Sequence, residues 1–291
     1  MNRRTSAHGI PARTAPVPRP GLNNPHPLRV ELAVGRSEGD STAHNSTEHR
    51  DRKTSTMKAL PRWTLGLAAA LAEVALAQAN SILRPFNGRN LEGWKTRPEG
   101  NNRTYWTVGT ARLDPKDPKR LVVEPGGQEL INAAPGHGQG LDLYSETLHG
   151  DAIIKLEVMV PRESNSGIYV MGEYEVQVLD SYGREDKPGP GDMGAIYGAQ
   201  PPRRPKYKAP GEWNTYEIHW RAPRFDAAGK KIANARFEKV ILNGVVIHEN
   251  VEMKGPTPGG VDGREKPKGP LMFQGNHGPV AYRNIEIHPL P

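Results

Sequence analysis

The chain of 291 residues contains no cysteine, which excludes disulfides and thiolate metal centres. Its 39 Lys and Arg against 32 Asp and Glu give a formal net charge of +7, yet most of that excess sits in residues 1 to 79, which hold 11 Lys and Arg and 6 Asp and Glu. The remainder is close to neutral, which gives nucleic-acid binding no electrostatic footing, and its length suits one domain of β-sandwich size.

Residues 1 to 56 are rich in Pro, Arg, Ser, Thr and His and lack hydrophobic periodicity, so they read as a disordered leader or as an over-extended start. Met57-Lys58-Ala59-Leu60-Pro61-Arg62, the apolar run from Trp63 to Ala72 and then Ala77-Gln78-Ala79 supply the charged, apolar and small-residue regions of a secretory signal helix over 57 to 79. An export machinery reads N-termini, so Met57 is predicted as the initiator. Cleavage after Ala79 would leave residues 80 to 291 as the mature domain, periplasmic or secreted. No membrane span is expected after cleavage, because the apolar run is shorter than the roughly 20 residues a bilayer requires. Lipid acylation is excluded by the missing cysteine.

Beyond residue 80 the hydrophobic pattern has period two, the signature of half-buried strands. Ile154, Leu156, Val158 and Val160 share one face of a strand over 151 to 160, opposite Lys155, Glu157 and Met159. In the stretch from 174 to 180 the same alternation puts Glu175, Gln177 and Leu179 on one side and Tyr174, Val176, Val178 and Asp180 on the other. A carboxylate and an amide two residues apart on one sheet face can both grip a hydroxyl-rich ligand. Residues 212 to 221 alternate likewise, with Asn214, Tyr216, Ile218 and Trp220 opposite Trp213, Thr215, Glu217, His219 and Arg221. Asn243-Gly244 between two apolar runs is a strong hairpin signal, because both residues tolerate positive φ. Two more strands are expected over 271 to 274 and 280 to 287. Gly- and Pro-rich stretches at 187 to 192, 200 to 211 and 254 to 270 are long loops. Many short strands separated by such loops imply an all-β, antiparallel β-sandwich, with loops at one rim able to wall a concave site.

The ordered series Phe86-Asn87-Gly88, Leu91-Glu92-Gly93-Trp94, Asn165-Ser166-Gly167-Ile168, Tyr174-Glu175-Val176-Gln177-Val178-Leu179-Asp180, Gly194-Ala195-Ile196-Tyr197, Gly211-Glu212-Trp213-Asn214, Leu242-Asn243-Gly244, Gln274-Gly275-Asn276-His277-Gly278 and Tyr282-Arg283-Asn284-Ile285 resembles the 3-keto-disaccharide hydrolase domain family. The resemblance covers nearly all of 82 to 289. It departs from the family at Gly275-Asn276, ahead of His277-Gly278, and in an unusually basic loop between 201 and 210. It implies a concanavalin-like or laminin-G-like jelly roll acting on a carbohydrate already oxidised at C3.

A ketone at C3 acidifies the C2 hydrogen, so a base can remove it and expel the C1 substituent, after which water adds to the unsaturated sugar. That chemistry needs a base, an acid for the leaving group and donors for an enolate oxygen, not the paired carboxylates of ordinary glycosidases. Glu175 and His277 are the catalytic candidates. Gln177, Tyr197, Arg283, Asn165 and Gln274 are candidates for holding the sugar's oxygens, and Trp213 or Tyr169 for stacking on its ring. A divalent cation held by Glu175, His277 or Asp180 is a second way to stabilise the enolate. Each has a plainer reading: Glu175 as a solvent-facing strand residue, His277 as a loop cap, Asp180 as a turn residue bonding backbone, and either aromatic as core. Arg283 and Asn284 have opposite facings in a regular strand, so at most one of them can point at a cavity. Arg203, Arg204, Lys206 and Lys208 read as a solvated basic loop, or as a site for an acidic sugar. His219 and His248 read as ordinary strand residues. The rival function is a lectin-like binding module of the same fold, with a conventional glycosidase a third option.

Overall fold

The computed structural model describes residues 81–98 and 100–291. The leader over 1 to 56 and the signal segment over 57 to 79 lie outside the described residues. Among the described residues there are fourteen strands and no helix: β1 (Trp94–Thr96), β2 (Trp106–Leu113), β3 (Leu121–Asn132), β4 (Leu143–His149), β5 (Ala152–Met159), β6 (Asn165–Val170), β7 (Tyr174–Leu179), β8 (Trp213–Arg221), β9 (Arg224–Phe225), β10 (Lys231–Ala233), β11 (Ala235–Leu242), β12 (Val245–Met253), β13 (Gly269–Phe273) and β14 (Val280–Pro289).

Twelve of them form two antiparallel sheets, one in the order β1-β4-β13-β6-β7 and the other in the order β12-β11-β8-β5-β14-β3-β2, while β9 and β10 make a separate two-stranded ribbon. The protein is an antiparallel β-sandwich of the jelly-roll type. Period-two alternation explains the layering. Tyr174, Val176 and Val178 of the five-stranded sheet meet Ile154, Leu156, Val158, Tyr216, Ile218 and Trp220 of the seven-stranded sheet in one buried core. Aromatic rings fill the ends of this layer. Phe273 stacks on Tyr282 with centroids 3.8 Å apart, and Trp220 lies 4.7 Å from both Tyr174 and Phe237.

The hairpin expected at Asn243-Gly244 joins β11 to β12, with φ of +50° and +77° at its two turn residues. Met171 (φ +52°) and Gly172 (φ +73°), with Glu173, make the turn between β6 and β7. Four strands over 94 to 149 had no clear signal in the sequence. β3 carries Pro125-Gly126-Gly127, which reads as a turn, yet Gly127 packs directly on the Gly109 backbone where the β2–β3 register shifts. No helix of the described residues is long and apolar enough to cross a membrane.

The outward face of the five-stranded sheet is where the chain departs from a plain sandwich. Gly194 N donates to Gln177 O, Gln177 N to Ala195 O and Tyr197 N to Glu175 O, so residues 194 to 197 run along the free edge of β7 as an added strand. Residues 257 to 263 cross above β6 and β7: Thr257 N donates to Glu173 O at 2.7 Å and Val261 N to Gly172 O at 2.8 Å.

Candidate active site

The same alternation that buries Val176 turns Glu175 and Gln177 away from the core, and the two overlying segments then cover them. Glu175 is 3% exposed and Gln177 6%. They line a cavity of about 300 Å³ together with Asn165, Tyr169, Tyr197, Pro258, Gly259, Gln274 and His277. Seven of the residues singled out from the sequence thus come together in one hollow, although they lie on two strands and two loops.

Glu175 stands opposite Tyr169 in the β6–β7 register. Gly167, the next residue on the same face of β6, leaves the room its carboxyl group occupies, since a Cβ there would overlap Oε1. No Lys, Arg or His pairs with Glu175 among the described residues. Burial pushes its pKa up to about 7, the Tyr169 phenol favours the charged form and opposes this, and the Asp142 carboxylate adds to the rise. Burial and the neighbouring Glu175 charge both raise Tyr169, whose hydroxyl donates to Pro258 O at 3.1 Å. That phenol therefore stays protonated throughout the range in which Glu175 titrates.

His277 reaches the cavity on the loop between β13 and β14, which is anchored from below. Asn132 Nδ2 donates to Gly275 O at 2.8 Å and to Gly278 O at 2.9 Å, and Asp142 Oδ1 accepts from Gly275 N at 2.8 Å. Asp142 is itself held by Arg97, whose Nη2 lies 2.6 Å from Oδ2. The His277 ring bonds Asn276 Oδ1 through Nδ1 and meets the His137 ring edge-on, centroids 4.5 Å apart. Asn165 Oδ1 is buried with no hydrogen-bond partner among the described residues. An orphaned acceptor in a cavity wall is a place for a ligand hydroxyl. Gln274 joins the wall because its N–H donates to Gly167 O at 3.0 Å.

Three of the sequence-derived candidates stand elsewhere. Arg283 lies on β14 of the other sheet, where its Nη2 is 2.8 Å from Glu157 Oε2 and its Nη1 3.4 Å from Glu129 Oε1. Trp213 is its neighbour there, the guanidinium sitting 4.0 Å above the indole, so neither residue touches the cavity. A bulge between Arg283 and Glu286, with Asn284 at φ +53°, also undoes the expected opposite facing, since Asn284 Nδ2 reaches the same Glu157 carboxylate at 2.6 Å. Asp180 is a loop residue whose Oδ2 accepts from Glu163 N at 2.9 Å. Of the cation-ligand candidates Glu175, His277 and Asp180, the first two share the cavity and Asp180 stands apart, and no group of three or more His, Asp and Glu that could hold a metal converges among the described residues. The basic loop is solvated as expected, with exposed Arg203 paired to Glu249 at 3.2 Å. His248 departs from the ordinary: it is fully buried, Nε2 lies 2.7 Å from Gly194 O, and burial pulls its pKa down to about 4.

A second, larger groove of about 670 Å³ lies on the outward face of the seven-stranded sheet. Its carboxylates are neutralised in place: Glu157 by Arg283, Glu217 by Lys155 at 3.2 Å and Glu286 by Arg84 at 2.6 Å. Paired surface carboxylates are poor bases, whereas the Glu175 carboxyl group is buried and stands in no such ion pair among the described residues.

Asp142 and Asn132 escaped the sequence reading because their role is to hold a loop distant in sequence. Tyr169 was weighed there as a sugar-stacking or core aromatic. The alternation of β6 was the signal that places it beside Glu175.

The model of the 3-keto-alpha-glucoside-1,2-lyase-like domain matches residues 84–288, which spans both sheets and every residue of the cavity. The chain belongs to that family. A candidate glycosyl hydrolase from Parabacteroides distasonis is similar to this chain at 26% identity and a TM-score of 0.53, over 72% of this chain and 84% of that one. A second candidate glycosyl hydrolase from the same organism is 16% identical with a TM-score of 0.49, covering 74% of this chain and 96% of its own. No curated protein matches. Family and fold make this a carbohydrate-active protein.

Proposed function

We propose that this protein cleaves 3-keto-glycosides by elimination across C1 and C2, with Glu175 as base and His277 as acid. The supporting observation is Glu175 itself: a buried carboxyl group with no cationic partner among the described residues, poised near neutrality, in a cavity it shares with His277. A base of that pKa is ionised in useful amounts at neutral pH and still strong enough to take a proton activated by a neighbouring ketone.

In the proposed reaction the Glu175 carboxylate removes the proton on C2. The C2–H electron pair forms a C1=C2 double bond, the C1–O bond breaks, and the leaving oxygen takes a proton from the His277 imidazolium. Charge developing on the C3 oxygen accepts hydrogen bonds from the neutral amides of Gln177 and Gln274, while Asn165 and Tyr197 hold ring hydroxyls. Water then adds at C1 and gives one proton back to the His277 imidazole, and Glu175 returns its proton to C2, so the two steps amount to hydrolysis. Asp180 lies outside the cavity, and no step is routed through a metal.

Incubating the purified protein with a nitrophenyl 3-keto-glucoside and measuring released nitrophenol tests this reading. Turnover that falls by about 100-fold or more in Glu175→Gln supports it. Sugar binding without turnover would favour the lectin-like module instead.

We propose further that the domain is exported, periplasmic or secreted, after cleavage behind Ala79. The Met57 to Ala79 segment supports this. Mass spectrometry of the exported protein should find Asn80 at its N-terminus, and a fragment beginning at Met1 would refute the start at Met57.

A further inference from the structure

Glu173 is a buried carboxylate that the proposed reaction does not use. It closes the turn between β6 and β7, two residues before Glu175, and is 4% exposed. No Lys or Arg pairs with it among the described residues. Oε1 accepts from Asp262 N and Oε2 from Gly263 N, each at 3.0 Å, and the Asp262 carboxyl group is its side-chain neighbour. With Thr257 N on Glu173 O and Val261 N on Gly172 O, four hydrogen bonds join this one turn to residues 257 to 263.

That segment is the roof of the Glu175 cavity. Pro258 and Gly259 line it, Thr257 Oγ1 accepts from Glu175 N at 3.1 Å, and Pro258 O takes the Tyr169 hydroxyl at 3.1 Å. The fit is close on both sides: a Cβ on Gly259 would stand 3.0 Å from the Tyr169 hydroxyl, and one on Gly260 would overlap Glu173 Oε2. A buried carboxylate with no cation is costly to keep, and burial together with the Asp262 charge does raise the Glu173 pKa. A residue serving the sandwich alone would be better apolar at this place. The two N–H groups it satisfies belong only to the roof.

We propose that Glu173 is a positioning residue that clamps residues 257 to 263 over the cavity, keeping water off Glu175 and so setting the strength of the base. The proposal rests on Glu175 being the reactive group. Glu173→Gln replaces one of two acceptor oxygens with an amide NH2, a donor that faces a backbone N–H, which opens the clamp from the turn side. Gly260→Ala opens it from the roof side, by crowding Oε2, and serves if the first variant does not fold.

Carbon-13 NMR titration of the Glu175 carboxyl reads the effect without any substrate. Its midpoint near 7 should fall in both variants toward the ordinary 4.5, and kcat for the 3-keto-glucoside should fall about tenfold above pH 7, since a weaker base takes the C2 proton more slowly. A midpoint that stays near 7 in a folded variant overturns the proposal. So does a drop in melting temperature with neither midpoint nor kcat changed, which would make Glu173 merely structural. If the wild type turns over no 3-keto-glucoside while the variants still shift the midpoint, the clamp stands and the assigned reaction falls.

Discussion

The backbone of Gly167 and the carboxyl group of Glu175 occupy space that no larger residue at 167 would share: a Cβ there would overlap Oε1 and lie 3.0 Å from Cδ. The β6–β7 register thus sets a glycine on one strand beside the base on the next. Gly167→Ala is expected to displace the carboxyl group, cutting turnover at least about tenfold while costing roughly 1–3 kcal/mol of stability from overpacking. Steady-state kinetics beside a denaturant titration checks both, and wild-type turnover in the variant would mean that Glu175 is not held where it reacts.

Glu175 links activity and stability to pH in opposite directions. Between pH 4.5 and 7 the folded protein keeps a proton on Glu175 that the unfolded chain releases, so this group's contribution to stability is complete below 4.5 and is lost as pH rises through about 7. Turnover should instead rise with pH through about 7, as the base ionises. At pH 8 Glu175→Gln is expected to gain on the order of 3 kcal/mol of stability, at about 1.4 kcal/mol per pKa unit, while losing turnover. Urea unfolding at pH 5 and pH 8 measures the difference.

His149 and His248 work the other way. Both are buried with pKa values pulled down from 6.5 to about 4, so the unfolded chain binds protons that the folded protein refuses. Their contribution is complete above pH 6.5 and is lost as pH falls through about 4. Replacing His248 with Asn should flatten the fall of stability between pH 6.5 and 4, whatever it does to stability at pH 8, and a set of melting curves across that range reads the slope.

Arg283 and Trp213 should be silent in catalysis. Arg283→Ala loses its stacking on Trp213 and its bonds to Glu157, with an expected cost of about 1–2 kcal/mol in stability. Turnover of the folded variant should stay within about twofold of wild type. A large loss of kcat would put the reactive centre on the seven-stranded sheet.

Alternation in the stretch from 174 to 180 was legible at once: side chains on a pleated strand have only two directions, so Glu175 and Gln177 had to share a face, and Tyr174, Val176 and Val178 the core. The turn at Asn243-Gly244 was equally local, since positive φ at two successive residues is a property of the residues themselves. Arg283 was misplaced for a reason of the opposite kind. Which sheet a strand joins, and whether it bulges, depends on partners far along the chain.

The amino-acid order by itself determined the all-β class, the antiparallel sandwich, and the polar pair on one face of β7, because period, turn chemistry and facing are settled within a few residues. Only the tertiary structure decided that His277 and Gln274 reach that pair, that Asp180, Trp213 and Arg283 do not, and that residues 257 to 263 cross over Glu175. A carboxylate's basicity is a property of the dielectric around it, and that is set by segments some eighty residues distant in the chain.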